Sequence, residues 1–181
     1  MMQQAGEMML EVPAVADAAA LSACAQRIFC DTFAHMNYPP ADLATFLEWA
    51  MGVDAYARLI ADPAYALRIV RDTDGAIVGF VKGGPNDLPL PDGDPLPAQT
   101  WELHQLYLDR SAQGSGIADT MMAFVEQEAR SRGAVALYLS VWVDNERAKR
   151  FYARHGFVEV GKNPFHVGSV VDDDRVWRKW L

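Results

Sequence analysis

The sequence lacks several features that would place it in a specialised class of protein. None of its apolar runs approaches the ~20 residues that a membrane-spanning helix needs, so no membrane association is predicted. Its beginning, MMQQAGEMML, has no basic segment followed by an apolar one, so no secretory leader is predicted and a cytoplasmic location is expected. The 181 residues have the composition of an ordinary globular protein, and we predict one domain over 1–181.

Cysteine, histidine and positive charge are also scarce. Cys24 and Cys30 lie six residues apart in one predicted helix, about 9 Å along its axis, which is too far for a disulfide. No metal is expected, because the four histidines show no metal-ligand spacing. The formal net charge of −8 argues against a nucleic-acid partner. It is compatible with a cationic small molecule such as a polyamine as ligand, and equally with solubility alone.

A glycine-bearing turn stands between a predicted strand, 103–108, and a predicted helix. It comprises Gln113, Gly114, Ser115, Gly116, Ile117 and Ala118. The free backbone N–H groups of such a turn, at the positive end of a helix dipole, suit a pyrophosphate. A dinucleotide fingerprint would need a third glycine where Asp119 stands, and a Walker A loop would need a lysine after the glycines.

A second motif follows the next apolar run, 135–142. It includes Asn145, Ala148, the pair Phe151 and Tyr152, and the Gly-Phe pair at 156–157. Together with the turn at 113–118, in this order and each after a strand, it resembles the GNAT superfamily of acyl-CoA-dependent N-acyltransferases. The resemblance covers roughly residues 101–160.

The resemblance implies a fold and a cofactor site. The fold is α/β (α+β), with a mixed, largely antiparallel sheet of about seven strands that is flanked by helices and splayed at the central strands. Acetyl-CoA is the implied co-substrate, with its pyrophosphate on the backbone of 113–118. Its pantetheine arm is expected along the free backbone of Leu106, Tyr107 and Leu108. Asn145 is a further expected cofactor contact or, alternatively, a helix cap.

Acetyl transfer to an amine needs a proton donor for the leaving thiolate and a base for the amine. Tyr152 is the predicted donor, with core packing beside Phe151 as the alternative. Glu102 and His104 are the predicted bases, directly or through water, and they alternate along one predicted strand face with Leu106 and Leu108. The alternative is that Glu102 and His104 are polar residues at a strand edge without a catalytic role.

Further stretches resemble the bacterial spermidine/spermine N-acetyltransferase-like branch, at 31–37, 165–168 and 172–181. Acceptor selection is expected from residues 29–49, with Asp31, Glu48 and Asp54 attracting a cation and Tyr38 and Trp49 lining its aliphatic part. Ordinary surface charge explains these acids as well.

The predicted reaction is transfer of acetyl to a primary amine, such as a polyamine, in a ternary complex. One alternative is an N-acetyltransferase for a protein N-terminus, an amino acid or an antibiotic, and another is a non-catalytic acyl-CoA-binding regulator. The acceptor, the acyl length and the oligomeric state stay open, a homodimer included.

The coarse pattern predicts strands at 8–12, 65–71, 76–82, 103–108, 135–142, 157–161 and 175–181. It places an Asp-Gly hairpin turn at 72–75. Residues 83–97 are predicted to form a long surface loop, and the chain between 161 and 174 another.

Overall fold

A computed structural model of the chain describes residues 8–181, in which one mixed sheet carries helices on both faces. The helices are α1 (Ala18–Phe33), α2 (Pro40–Met51), α3 (Val53–Ala61), α4 (Ile117–Ser131) and α5 (Glu146–Arg154). The strands are β1 (Ala66–Arg71), β2 (Ile77–Gly84), β3 (Thr100–Leu108), β4 (Ala136–Trp142), β5 (Val158–Val167) and β6 (Val170–Trp180). The predicted α/β (α+β) class and largely antiparallel sheet are confirmed.

The sheet has six strands within the described residues, where about seven were predicted. The stretch 8–12 makes only an isolated bridge, in which Glu11 and Ile69 exchange backbone hydrogen bonds of 2.9 Å. A strand of one bridged residue adds no row to the sheet, so the sheet has one strand fewer than the approximate number predicted, and the architecture is as predicted.

The strands splay at the centre of the sheet. Their order is β1-β2-β3-β4-β6-β5, and every neighbouring pair is antiparallel except β3 and β4, which are parallel. Those two strands pair only at their beginnings, where Thr100 to Glu102 lie opposite Ala136 to Tyr138. The rest of β3 diverges from β4, so a gap opens between the two strands.

Each face of the sheet buries its own helices. On one face, α1 presents Leu21, Cys24, Ala25, Ile28 and Phe29 to the sheet, a spacing of three and four residues that forms one apolar stripe. On the other face, α4 buries its apolar stripe in a second cluster: Ile117, Met121, Met122, Val125 and Ala129. The gap between β3 and β4 therefore lies between two packed layers.

A β-bulge interrupts β3 near its middle. Lys82 of β2 pairs with Gln105, while Gly83, the next residue of β2, pairs with Leu103. His104 is therefore an extra residue without a partner on β2. Such a bulge bends the strand and re-aims the side chains on either side of it.

The bulge makes the predicted face of β3 wrong. Glu102 was expected to share a face with Leu106 and Leu108, but these two leucines pack in the α4 cluster together with Leu103. Tyr107 packs in the cluster on the opposite face. The alternation of side chains between the two faces of β3 is interrupted, because the extra residue moves every side chain after it to the opposite face.

The end of the chain forms one long hairpin. Beyond residue 161, a loop through 174 was predicted, but β5 continues to Val167 and β6 already begins at Val170. The acidic residues 172–174 obscured the strand, because Asp has a low β-propensity. The Asp-Gly hairpin at 72–75 is confirmed, with Gly75 at φ 84°.

The long loop between β2 and β3 is fixed at both ends. Near its start, the Asp87 N–H donates to the Glu102 carboxylate over 3.0 Å. Near its end, Asp94 accepts hydrogen bonds from the Tyr138 hydroxyl and from Arg178. Leu88 and Leu90 pack between these points. The prediction of a long connection is confirmed, although the loop is anchored to the sheet.

Candidate functional site

A cleft of about 740 Å³ occupies the gap between β3 and β4. Its walls come from α1, α2, β3, β4, α4, α5 and the β5–β6 hairpin. It collects most of the residues predicted for the site: Glu102, His104, Leu106, Tyr107, Leu108, Gln113, Ala118, Asn145 and Tyr152. Residues that are scattered along the chain thus meet around one space.

The turn before α4 has the geometry of an anion cradle. Gly114 and Gly116 adopt φ values of 83° and 86°, which favour glycine, and a Cβ added at either would meet nothing within 4 Å. Gly116 is the N-cap of α4 without a side-chain cap. Among the described residues, the backbone N–H groups of Gly114, Ser115, Gly116 and Ala118 find no acceptor. These open donors fit a pyrophosphate.

Other contacts around the turn are internal. The Ser115 hydroxyl donates to the Ala112 carbonyl over 2.7 Å and lies 3.4 Å from the backbone nitrogen of Ile117. The Ile117 side chain is buried in the core. The Gln113 side chain donates to the Leu108 carbonyl over 3.1 Å and accepts from Arg147 of α5. Gln113 therefore joins the end of β3 to α5, and is more than a solvated turn residue.

The two predicted bases lie together in the cleft. Glu102 is 7% exposed, and its Oε1 lies 3.3 Å from His104 Nδ1. His104 Nε2 lies 2.9 Å from the Pro85 carbonyl oxygen. A carbonyl oxygen can only accept, so Nε2 carries a proton and Nδ1 of a neutral imidazole presents its lone pair to Glu102. Glu102 and His104 can form a hydrogen bond only when a proton sits either on the Glu102 carboxyl or on His104 Nδ1.

Burial decides which partner holds that proton. It raises the pKa of Glu102 to about 7, against the opposing effect of the Asp87 N–H hydrogen bond. Burial, and then the nearby Lys82, lower the pKa of His104 to about 4. The pKa of Lys82 itself falls to about 8, again through burial. Of this pair, Glu102 is thus the group that changes charge near neutral pH.

Helix α5 carries the other predicted groups. Asn145 is its N-cap, and the side-chain oxygen accepts from the Ala148 N–H over 3.2 Å, so the capping alternative is present in the structure. Tyr152 packs beside Phe151 and Phe157, with ring centroids 5.5 and 5.9 Å away. Its side chain also lines the cleft, and burial raises its pKa to about 12.

The acceptor side of the cleft differs in part from the prediction. Asp31, Tyr38 and Trp49 line it, although Trp49 is 77% exposed. Glu48 and Asp54 are exposed on their helices outside the cleft lining. These two acids were inferred from chain proximity alone, and their helical positions turn them towards solvent.

Two acids that the sequence reading did not select also line the cleft. Asp172 and Asp174 lie two residues apart on β6 and therefore share a face. A period-two pattern through Val170, Asp172, Asp174 and Val176 was present in the sequence. It was hidden because Asp173 makes the segment read as a polar loop.

Two features are absent from residues 8–181. No group of three or more His, Cys, Asp or Glu side chains there is arranged to hold a metal ion. No helix within that range combines the length and the apolar character needed to cross a membrane.

Comparison with known proteins gives matches over most of the sequence. The profile described as "Acetyltransferase (GNAT) family" matches residues 25–157. An uncharacterized N-acetyltransferase of Lactobacillus delbrueckii subsp. lactis, located in the pepI 3′ region, is 32% identical over 162 residues, which are 88% of this chain and 89% of that protein. A probable spermine N(1)-acetyltransferase of Bacillus subtilis subsp. natto is 31% identical over 99 residues, covering 54% of this chain and 63% of that protein.

A solved structure resembles the fold as a whole. The PaiA N-acetyltransferase of Thermoplasma acidophilum, crystallised in complex with coenzyme A, superposes with a TM-score of 0.74. The match covers 96% of this chain and 99% of that one, at 17% identity. At this identity the likeness concerns the architecture and not individual side chains.

Proposed function

This chain belongs to the GNAT family of acetyltransferases, and we propose that it transfers acetyl directly to a primary amine, with a polyamine or similar cation as acceptor. The family and the N-acetyltransferase relatives make it an acetyl-CoA-dependent acyltransferase. The proposed parts are the acceptor, the ternary complex, the residue roles and action in the cytoplasm. The observation that carries the first three is the cleft that brings Glu102 and Tyr152 together with Gln113 and Ala118, the two ends of the cradle before α4.

The proposed cofactor-binding residues lie along the gap or next to it. Gln113, Gly114, Ser115, Gly116, Ile117 and Ala118 would hold the pyrophosphate, supported by the unused N–H donors of this turn. Leu106, Tyr107 and Leu108 lie where β3 has left β4 and would pair with the pantetheine arm. Asn145 would fix the start of α5 beside it. Acetyl-CoA supplies the activated acyl group.

Glu102 is the proposed base. An attacking amine must lose its positive charge, and an ionised Glu102 in the cleft can accept that proton directly or through water. A pKa raised to about 7 makes Glu102 a stronger base than an ordinary carboxylate, and leaves it about half ionised at neutral pH. His104 is the weaker candidate because its pKa is lowered to about 4 and its Nε2–H is engaged by Pro85.

Tyr152 is the proposed donor to the leaving thiolate. With its pKa raised to about 12, the phenol stays protonated throughout the neutral range. Since an alkyl thiol is more acidic, with a pKa of about 8.5, complete proton transfer from Tyr152 is uphill. Tyr152 would therefore stabilise the departing thiolate mainly by donating a hydrogen bond.

Direct attack is favoured over a covalent acyl-enzyme. Neither Cys24 nor Cys30 lines the cleft, and burial raises the pKa of both thiols, that of Cys24 to about 11. Ser140 lines the cleft, but its hydroxyl donates to Asp174 over 3.1 Å, and no histidine contacts it among the described residues. An activated nucleophile needs an adjacent base, so a ternary complex is the simpler route.

A cationic acceptor is supported by three observations. The chain carries a formal net charge of −8. Asp31 and two further carboxylates, Asp172 and Asp174, line the cleft. The relative in Bacillus subtilis subsp. natto is named as a probable spermine N(1)-acetyltransferase, and it matches just over half of this chain.

An amine panel tests the proposal. The purified protein would be incubated with acetyl-CoA and, separately, spermidine, spermine, an amino acid, an aminoglycoside and a peptide with a free N-terminus. Release of free thiol is the readout. Highest kcat/KM for a polyamine is expected. A clear preference for the peptide would replace the polyamine with a protein N-terminus, and CoA binding without turnover of any amine would favour a non-catalytic regulator.

A further inference from the structure

One face of β6 presents two carboxylates to the cleft. Asp172 and Asp174 point towards it, whereas Asp173 between them is exposed and lies 2.7 Å from Arg175. Asp172 and Asp174 form no ion pair with a Lys, Arg or His of the described residues, and the side-chain hydrogen bonds they accept come from hydroxyl groups. The cleft therefore contains two carboxylates that make no direct ion pair with a cation of the described residues.

Asp172 is the more constrained of the two. It is 5% exposed, and one of its oxygens accepts from the Tyr38 hydroxyl. Its other oxygen, Oδ1, is fully buried and meets no donor in the part of the chain that the structure describes. An unsatisfied buried carboxylate oxygen costs free energy, and a donor that arrives with a positive charge relieves that cost most strongly.

The walls around this pair suit an alkyl chain that ends in a cation. Phe165 of β5 lies opposite Asp172, and Trp142 of β4 lies opposite Asp174, and both aromatic residues line the cleft. Aromatic rings pack well against methylene groups, and their faces attract ammonium groups. The same surface therefore offers apolar contact along its length and negative charge at its end.

The sheet register separates this pair from the proposed reaction centre. Glu102 pairs with Tyr138, and Asp174 pairs with Trp142, which is four residues farther along β4. Four residues of a strand span roughly 13 Å. An acceptor that places one amine at Glu102 and a second charge near β6 must therefore be extended, with several methylene groups between its nitrogens.

We propose that Asp172 and Asp174 bind the second, non-reacting ammonium of a linear diamine or polyamine acceptor. This inference rests on the proposed amine acetyltransfer and adds the part of the site that selects the acceptor. The reacting amine loses its charge at Glu102, while the distant ammonium keeps its charge and is held by β6. Asp172 and Asp174 are thus specificity-determining residues outside the reacting centre.

The test compares diamines with monoamines of equal length. The wild-type protein should acetylate α,ω-diaminoalkanes with a kcat/KM at least about tenfold above that of the n-alkylamine of matched length, the scale of one charge-assisted hydrogen bond. The advantage should appear only beyond a minimum chain length. Asp172→Asn and Asp174→Asn should each remove most of it and lower kcat/KM for the monoamines much less.

Asp173→Asn is the matched control, because it removes the same charge from the outward face of the same strand. It should leave both substrate classes unaffected. Asn keeps an oxygen that can accept from Tyr38 or Ser140, and CoA affinity with the melting temperature reports on folding. If Asp172→Asn does not fold, Asp174→Asn decides alone.

Equal rates for diamines and monoamines in the wild type would overturn the proposal. So would an equal loss on both classes in a folded variant, because that pattern indicates a structural role. Failure of the proposed function is a different result, since no amine of either class would then release thiol from acetyl-CoA.

Discussion

The hydroxyl of Tyr152 can be removed without removing its ring. Tyr152→Phe keeps the packing against Phe151 and Phe157, so the fold and CoA affinity should be retained. If the phenol supports the leaving thiolate, the single-turnover rate should fall about 10²-fold. Rapid-quench kinetics is the appropriate measurement, because product release can mask the change in kcat. An unchanged single-turnover rate would leave Tyr152 with a packing role only.

The charge state of Glu102 should govern the pH dependence. Its pKa is raised to about 7, and only the ionised form accepts a proton, so the rate should rise with pH through this value. In Glu102→Gln the rate should be about 10²-fold lower above pH 8 and should approach the wild-type rate near pH 5. The ratio of the two rates cancels the titration of the amine itself.

His104→Gln separates the two candidate bases. It should retain an acid limb in the pH profile, because the carboxylate of Glu102 is still present. A wild-type to Glu102→Gln ratio that stays constant with pH would contradict the assignment of Glu102. Loss of the limb in His104→Gln alone would transfer the role of base to His104.

At the scale of secondary-structure elements, the turn that begins α4 carries the prediction for CoA. Gly116→Asp places a side chain and a negative charge where the pyrophosphate is expected, so CoA affinity should fall at least about tenfold. Gly133→Asp is the matched control, since Gly133 lies beyond the other end of α4 at φ 80° with equally open space. Calorimetry should show the affinity loss in the first variant only.

A similar loss of affinity in both glycine variants would indicate backbone strain and not a blocked cradle. A folded Gly116→Asp protein with unchanged CoA affinity would contradict the placement of the pyrophosphate.

The elements that local chemistry specifies could be predicted from the sequence. The Asp-Gly turn at 72–75 determines the β1–β2 hairpin, and Asn145 caps α5, which was the alternative to its predicted cofactor contact. The bulge at His104 could not be predicted, because it depends on how β3 aligns with β2. The candidate site shows the same contrast between local and tertiary determinants. Tyr152 could be predicted because it stands in a recognisable motif, whereas Asp172 becomes a cleft residue only when β5 and β6 pair.

At the scale of the whole molecule, charge should make acceptor binding sensitive to salt. With a net charge of −8 and acids in the cleft, kcat/KM for spermidine should fall severalfold as the Debye length shortens from about 10 Å at 0.1 M salt to about 3 Å at 1 M. A butylamine control should change less, because it leaves no second charge to be screened. Equal salt dependence for both amines would contradict a cationic acceptor site.

The prediction of a single domain over 1–181 stays a prediction.

The short pairing of β3 with β4 has a mechanical consequence. Within residues 8–181 the sheet consists of two antiparallel halves, β1-β2-β3 and β4-β6-β5, and only three residue pairs of the sheet register join them. That seam is the weakest line of the sheet, and CoA bound along it would brace the halves. At 100 times its Kd, CoA should add about 2.7 kcal/mol to the free energy of unfolding. Hydrogen exchange at 100–102 and 136–138 should then slow more than exchange within the β5–β6 hairpin, whereas uniform slowing would mean that the ligand does not act as a brace.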